Sequence, residues 1–450
     1  MKHITEFKAK KVLVLGLAKS GVAAAEILHK LGAFVTVNDS KPFEESPDAQ
    51  NLLSKGITVI CGRHPEDLLD EGFEYVIKNP GIPYHNPIVS DAVSRGIPVW
   101  TEIELAYLIS EAPFIGITGS NGKTTTTTLL FHMLNQGGQN PLIAGNIGTV
   151  ACKVAEEAKE DQVIVTELSS FQLMGIDEFH PRIAILTNLY EAHLDYHGSF
   201  KEYGDAKFGV TKNQTNEDVF IYNADQPEVV KYASLTNAKL IPFSTKGRRE
   251  EGISGDAEYI YWNGELYLER RLIALPGEHN LENILCAVAT AILMDCPKET
   301  IQHVLTSFTG VKHRTQFLRE WKKRKFYNDS KATNTLATKS ALAAFEQPVI
   351  LLAGGLERGH SFEELREGMN HVKAVVAFGQ TSDRLLDFAA SCGVENIKKV
   401  ENIQQAVKVA TDLSEPEDVI LLSPACASWD QYANFELRGD DFIEAVFQIK

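Results

Sequence analysis

The sequence has no long apolar run: no stretch approaches the roughly 18 to 20 consecutive apolar residues that a membrane-spanning helix needs. A helical membrane protein is therefore not the expectation. The opening "MKHITEFKAKKVLVLGLAKSG" has the basic start of a signal peptide, but its apolar run, Val12 to Ala18, is short and ends at Lys19. It reads better as a buried first strand. Cysteine is sparse, and positions 61, 152, 286, 296, 392 and 426 show neither C-x-x-C pairing nor a His spacing suited to zinc. Reduced thiols in a cytoplasmic protein follow, since so long a chain does not need disulfides. Positive charge is also short: 44 Lys and Arg against 60 Asp and Glu give a formal net charge of -16. That balance argues against nucleic acid or an anionic membrane as a partner, and any anionic substrate needs a local basic pocket. Short repeats and low-complexity segments are absent as well.

What is present is an ordinary globular composition, 44% hydrophobic and 23% charged, over 450 residues. That length predicts two or three domains. Residues 11 to 39 alternate a β-run "KVLVLG", a helical "GVAAAEILHKLG" and a second β-run "FVTVND", which opens a doubly wound α/β domain. "GLAKSG" (Gly16 to Gly21) resembles a dinucleotide fingerprint but has Ala18 at the middle glycine, while Asp39 stands where a ribose-binding acid is expected. A nicotinamide-type ligand, another ligand and plain helix–strand packing all remain open on these residues. "VIKNPGIP" (76 to 83) ends a further strand, and "GIPVWTEIELAYL" leads out past residue 101. The same grammar recurs in "QVIVTE", "RIAILTN" and "DVFIYNAD", and again in "KFYNDS", "PVILLAGG", "KAVVAFG" and "DVILLSPACAS". Three tandem α/β units are predicted, with the basic "WKKRK" (321 to 325) as a solvated face.

The second unit opens on "FIGITGSNGKTTTTTLLFHML", a strand, a Gly-rich loop and a helix. Strict phosphate-loop spelling wants a glycine at 117, where this chain has isoleucine. Even so, Gly119, Ser120, Asn121 and Gly122 lead straight into a helix, so backbone N–H groups and the positive helix end converge on one anion site. Lys123 adds a mobile charge for outer phosphates, and the Thr124 hydroxyl is placed for a phosphate-bound Mg²⁺. Threonines 125 to 128 are poor formers of a first helical turn, so the fold must hold them; of these only Thr125 is a further candidate for the chemistry. Glu167 follows one strand and His193 and Asp195 the next, in the crevice where α/β sheets bind ligands. With Thr124 they make an oxygen-rich set for Mg²⁺, the imidazole widening the choice to Mn²⁺. Asn280 and Asn283 share a helix face and are candidates for reading adenine, for supporting the metal, or for starting the helix only.

Together "TGSNGKT", "ELSSFQL", "TNLYEAHLDYHGSFKEYGDAK", "GEHNLENILCA", "HRTQF", "NDSKATN" and "SPACASWDQYANFELRG" resemble the Mur ligase family of ATP-dependent, amide-bond-forming enzymes in peptidoglycan precursor synthesis. The resemblance spans nearly the whole chain, and in that family the missing loop glycine is normal. It implies three tandem α/β domains: a Rossmann-like UDP-binding domain over 1–101, a central P-loop ATPase-type domain over 102–310, and a C-terminal Rossmann-like domain over 311–450. The last binds the incoming amino acid and part of ATP. The last two motifs imply D-glutamate as that amino acid and UDP-N-acetylmuramoyl-L-alanine (UDP-MurNAc-L-Ala) as the carboxylate substrate, in a monomeric cytoplasmic enzyme.

Residue by residue, the resemblance implies catalytic roles for Lys123, His193 and Lys207, the last carried as a carbamate that ligates metal. Two Mg²⁺ ions would be shared among Thr124, Glu167, His193 and Lys207. Arg314 would meet the γ-phosphate of ATP and Asp329 its ribose. UDP-substrate contacts would come from Leu15, Gly16, Ala18, Lys19, Ser20, Asp39, Ser40, Lys41, Asn79, Gly81 and Asn146. Lys331, Thr333, Arg358 and Ser428, with the backbone near Phe435, would hold D-glutamate. Arg358 stands where a lysine is expected, which changes the geometry of carboxylate recognition rather than its sign. Cys426 is assigned to packing. Competing readings are a sibling ligase for another amino acid or a dipeptide, a folylpolyglutamate synthase-like ligase and, in a different class, a nicotinamide oxidoreductase or a nucleotide-dependent switch.

Overall fold

Runs of Val, Leu and Ile become the central strands of three separate sheets in the computed structural model, which describes residues 1–449 apart from Pro276 and Glu278. Glu278 of the "GEHNLEN" motif thus lies outside the described residues. Burial on both faces is what a parallel sheet covered by helices on each side requires. The clearest cases are β6 (Phe114–Thr118) and β17 (Val349–Gly354), in which every residue is buried.

The first sheet comprises β1 (Lys11–Leu15), β2 (Phe34–Asp39), β3 (Thr58–Cys61), β4 (Tyr75–Lys78) and β5 (Val99–Trp100), in the order β3-β2-β1-β4-β5. All neighbours are parallel, and Leu15 pairs with both Asn38 and Lys78. The loops after β1, β2 and β4 therefore leave from one edge, at the point where strand order reverses.

Nine strands form the second sheet: β6, β7 (Pro141–Gly145), β8 (Val163–Glu167), β9 (Ile183–Leu186), β10 (Val219–Asn223), β11 (Lys239–Ser244), β12 (Ile253–Gly255), β13 (Tyr259–Trp262) and β14 (Glu265–Glu269). Their order is β14-β13-β12-β11-β10-β9-β6-β8-β7. Only β12 to β14 run antiparallel to one another. In the third sheet, β15 (Gln316–Trp321), β16 (Arg324–Asn328), β17, β18 (Val372–Phe378), β19 (Asn396–Lys399) and β20 (Val419–Leu422) lie in the order β15-β16-β20-β17-β18-β19. The "WKKRK" run closes a tight hairpin between β15 and β16, where Trp321 pairs with Arg324 and Lys322 and Lys323 are exposed. Lys322 and Lys323 form its tip with φ of 47° and 62°. That conformation suits the right-handed twist of a two-residue hairpin but is costly for residues with a Cβ.

Residues up to Ala274, with the helix His279–Leu293 and on to Ser307, form one compact unit; the chain from Phe308 onward forms another. The first unit holds two sheets because one apolar core runs through both. Val12, Val14 and Ile27 of the first sheet and its helix join Ile103, Leu105, Ile164 and Leu186 in a single buried cluster. In the second unit, apolar layers on either face of the third sheet do the same work, around Leu351 and Val375 on one side and Ile350, Leu352 and Ile420 on the other. Among the described residues all six cysteines are free, and no helix is long and apolar enough to cross a membrane.

Candidate active site

At the end of β6 the chain turns through Gly119 (φ 146°) and Gly122 (φ 81°) into the helix Lys123–Gln136. Glycine is required at both for space as well as conformation. A Cβ on Gly119 would lie 1.9 Å from Thr187 Oγ1, and one on Gly122 would lie 1.9 Å from Asn283 Oδ1. Thr124 to Thr127 are buried, held in the first helical turns by packing rather than propensity. Lys123 folds back so that Nζ donates to the carbonyls of Gly119 and Ser120 at 2.8 and 2.9 Å.

Lys207, on the helix Phe200–Phe208, reaches the same loop. Its Nζ donates to the Gly119 carbonyl at 2.8 Å and lies 4.7 Å from the Tyr203 ring centroid. Only 2% of the residue is exposed. Burial, and secondly the charge on Lys123, push its ammonium well below the ordinary lysine range, against the pull of Glu167. A buried amine whose charged form is penalised is a nucleophile, and that is the state that reacts with CO₂ to give a carbamate.

Glu167 ends β8 and is 1% exposed. Its Oε1 accepts from Asn146 Nδ2 at 2.7 Å, whereas Oε2 is buried with no hydrogen-bond partner. An orphaned carboxylate oxygen, on a residue whose charge acts on Lys207, fits a hard divalent cation. His193 stands in the left-handed region (φ 54°) at the head of the one-turn helix Leu194–His197, its ring 5.0 Å from that of Phe171. Burial and the charges of Lys207 and Lys123 lower its pKa, which favours the neutral imidazole that binds metal. Among the described residues no three His, Cys, Asp or Glu side chains cluster to hold an ion, so a metal here depends on Thr124 and Lys207 as well. Asp195, two residues along on the same short helix, is exposed, and its charge acts on His193 in the opposite sense, raising the pKa.

Behind the loop a cavity of about 450 Å³ is lined by Asn121, Gly122, Asn188, Tyr190, Thr245, Glu282 and Asn283. Asn283 donates to Asn280 Oδ1 at 3.0 Å, so the helix face expected from their spacing does exist. Between them in sequence, Glu282 receives Asn188 Nδ2 at 3.1 Å and Asn223 Nδ2 at 3.2 Å, and burial raises its pKa. Asn188 also accepts the Asn121 amide at 2.8 Å. Sequence reasoning missed Glu282, Asn188, Tyr190 and Thr245. The available signal was that Asn188 and Asn223 each close a β-run, as Glu167 does.

At the first sheet's edge, Leu15 ends β1 and Gly16 (φ 95°) begins the turn. A Cβ there would meet Asn79 Nδ2 at 2.5 Å. Ala18 precedes the helix Lys19–Lys30, and Ser20 Oγ donates to Asn79 Oδ1 at 2.8 Å. Asp39 accepts the amides of Leu17 at 2.6 Å and Lys41 at 2.8 Å, so it shapes both loops. Ser40 and Gly81 lie on the loops after β2 and β4. These residues come together, and Asn146, the remaining member of the expected substrate contacts, lies just after β7 and donates to Glu167.

The second unit gathers its candidates at the ends of β16, β20 and β17, three adjacent parallel strands. Asp329 accepts Thr315 N–H at 3.0 Å and Ser423 Oγ–H at 2.8 Å. Burial pushes its carboxyl up to about 6, with Arg314 pulling the other way. Lys331 Nζ lies 5.9 Å from the Phe435 ring centroid, and the Thr333 amide donates to the Lys331 carbonyl. The Arg358 guanidinium stacks 4.7 Å over Trp429. Ser428 Oγ is buried without a partner, and the Phe435 carbonyl accepts Ser330 Oγ–H at 2.7 Å. Cys426 is buried, and desolvation raises its pKa, so packing is its role. Sequence reasoning missed Arg438. It is fully buried and donates to the Ser330 and Cys426 carbonyls at 2.9 and 3.0 Å, tying together loops after β16 and β20.

Three family models match the chain in order: Mur ligase MurD-like, N-terminal domain, at residues 10–101; Mur ligase middle domain at 117–291; and Mur ligase, glutamate ligase domain, at 313–426. The UDP-N-acetylmuramoylalanine--D-glutamate ligase of Geobacillus sp. (strain WCH70) is 57% identical over 451 residues, covering 100% of each chain. Its namesake in Listeria monocytogenes serotype 4b is 56% identical over 450 residues, covering 100% of this chain and 99% of that one. Among solved structures, the UDP-N-acetylmuramate-alanine ligase of Thermotoga maritima aligns with a TM-score of 0.58 at 20% identity, over 98% of this chain and 100% of that one. The MurF ligase of Thermotoga maritima, solved with ADP, gives 0.57 at 16% identity, over 98% and 96%. At those identities the structures establish the fold.

Proposed function

The chain belongs to the Mur ligase family, and from that premise we propose that it joins D-glutamate to UDP-MurNAc-L-Ala, driven by ATP, in cytoplasmic peptidoglycan precursor synthesis. In the proposed reaction ATP phosphorylates the substrate carboxylate, the amine of D-glutamate attacks the acyl phosphate, and phosphate leaves. The structural observation that carries the reading is the convergence of Lys123 and Lys207 on the Gly119 carbonyl, in a crevice that also holds the orphaned Glu167 Oε2.

The chemistry calls for positive charge in that crevice. A carboxylate approaching a triphosphate meets about 4 kcal/mol of repulsion for each charge pair at ~4 Å and an effective dielectric of 20. Lys123 neutralises part of it once phosphate oxygens replace the loop carbonyls as its acceptors. Two Mg²⁺ ions, replaceable by Mn²⁺, would be held by Thr124, Glu167, His193 and carbamylated Lys207 and would supply the remaining positive charge. Backbone amides from Gly119 to Gly122 cradle the phosphates, with Ser120 and Thr125 beside them. Asn280 and Asn283 take the adenine side, where the cavity lies. On the first sheet, Leu15, Gly16, Ala18, Lys19, Ser20, Asp39, Ser40, Lys41, Asn79 and Gly81 receive the UDP moiety.

In the second unit, Lys331, Thr333, Arg358 and Ser428 receive the two carboxylates of D-glutamate, with the Phe435 backbone beside them. The unpartnered Ser428 hydroxyl is a donor in waiting, and the planar Arg358 fork takes a carboxylate in a bidentate grip. Orienting amine and acyl phosphate contributes on the order of 7 to 11 kcal/mol of barrier lowering. No protein nucleophile takes part, and the enzyme works as a monomer. Mass detection of the product from UDP-MurNAc-L-Ala, ATP and D-glutamate tests the whole reading. Phosphate release across a panel of amino acids tests the acceptor, and turnover with L-alanine but not D-glutamate refutes it.

A further inference from the structure

Lys78 is the last residue of β4 and is 1% exposed. Burial lowers its ammonium to about 8, and no carboxylate offsets that effect. Instead Nζ donates to the carbonyls of Pro80 at 3.2 Å and Ile82 at 2.9 Å and to Tyr196 Oη at 3.3 Å. Tyr196 Oη faces the same two carbonyls, at 3.1 and 3.0 Å. Tyr84 closes the pocket, its ring centroid 4.9 Å from Nζ and its hydroxyl donating to the Met174 carbonyl at 2.8 Å. An apolar side chain of similar length would fill this space without the penalty of burying a charge. Retaining a lysine therefore points to a task other than stability.

The two ends of this contact indicate the task. Pro80 to Ile82 continue the turn whose Asn79 packs on Gly16 and binds Ser20, in the group assigned above to the UDP moiety. Tyr196 belongs to the one-turn helix headed by His193, and its ring packs 4.4 Å from Phe171. Phe171 in turn meets His193 at 5.0 Å and stacks on His197 at 5.4 Å. A short rigid path thus leads from the turn after β4 on the first sheet to the His193 turn on the second. Both sheets lie in one compact unit.

We propose that Lys78 is a positioning residue which, with Tyr196, clamps the Asn79–Ile82 turn to the His193 turn, keeping the carboxylate of a substrate held on the first sheet in register with the phosphate loop. This rests on the ligase reading above. Register matters more for the chemical step than for binding, because a misplacement of about 1 Å costs on the order of a hundredfold in rate.

The test compares wild type, Lys78→Met, Tyr196→Phe and the double variant in full-length protein. Measurements are kcat for phosphate release with UDP-MurNAc-L-Ala, ATP and D-glutamate, and the Kd of each nucleotide substrate by calorimetry. The expected result is a fall in kcat of about ten- to a hundredfold in each single variant. Both Kd values should stay within about threefold, and the double variant should lose no more than the worse single one, since the two act as a unit. Unchanged kcat, additive losses, or a loss confined to affinity for the UDP substrate would overturn the clamp. If Lys78→Met does not fold, Tyr196→Phe decides, because it removes one hydroxyl and keeps the ring on Phe171. A wild type that makes no product overturns the ligase reading and the inference with it; an active wild type with indifferent variants overturns the inference alone.

Discussion

Glu102 offers a sharp test of how burial sets stability in the first unit. It opens the helix Glu102–Ile109, between the first sheet and the second, and is 2% exposed. Its Oε2 accepts the Cys152 amide at 3.1 Å, and Oε1 accepts Gln172 Nε2 at 3.4 Å. These bonds favour the charged form, but desolvation outweighs them and raises the carboxyl from 4.5 to about 7. Because the folded pKa lies above the unfolded one, the protonated form stabilises the fold. That contribution is complete below pH 4.5 and is lost as pH rises through 7. A gap of 2.5 units (7 - 4.5) at 1.36 kcal/mol each amounts to about 3 kcal/mol. Glu102→Gln cannot ionise, so its stability relative to wild type should climb by about 3 kcal/mol between about pH 4.5 and pH 8. Any constant penalty from the amide facing Gln172 cancels in that difference. Urea unfolding at a series of pH values, followed by hydrogen exchange of the Thr101–Ile109 segment, measures it. A difference that stays flat with pH would refute the assignment of the cost to Glu102.

Three further outcomes are expected. Lys207→Ala should lose most turnover and regain part of it with added formate or acetate, which replace the missing anionic oxygen ligand; full activity without rescue counts against that role. Gly122→Ala combines a left-handed backbone, worth about 1 to 2 kcal/mol, with overpacking of about 1 to 3 kcal/mol against Asn283. Thermal melts should drop and ATP binding, read by calorimetry, should vanish, and wild-type values in both would refute the close approach. Lys322→Asn with Lys323→Gly relieves two left-handed lysines at the β15–β16 tip and should stabilise the second unit by about 1 kcal/mol, visible as a higher urea midpoint.

What the sequence determined by itself is what a few neighbouring residues determine. The phosphate loop is legible because an anion site made of backbone amides at a helix start is local, and the substitution of Ile117 for glycine does not alter it. The central strands β1, β6, β17 and β20 are legible because burial on both faces demands an unbroken Val/Leu/Ile run. The strands at and near the sheet edges carry no such demand. β3, β19 and the β12–β14 meander are short or mixed in polarity, and β15 was hidden beside a basic run that turned out to be a hairpin tip.

Tertiary structure decided everything that depends on residues meeting across the chain. Lys207 reaches the Gly119 carbonyl, to which Lys123 donates from four residues away, only because the helix Phe200–Phe208 folds back onto the loop from 88 residues further along. Asn146 meets Glu167 because β7 pairs with β8. Glu282, Arg438 and Lys78 look like ordinary surface residues in the sequence, and their spacing gives no sign of burial. Each has a partner roughly a hundred residues away: Asn188 for Glu282, Ser330 for Arg438 and Tyr196 for Lys78. Desolvation is a sum over such neighbours, so the groups whose charge is most perturbed are the ones a linear reading is least able to see.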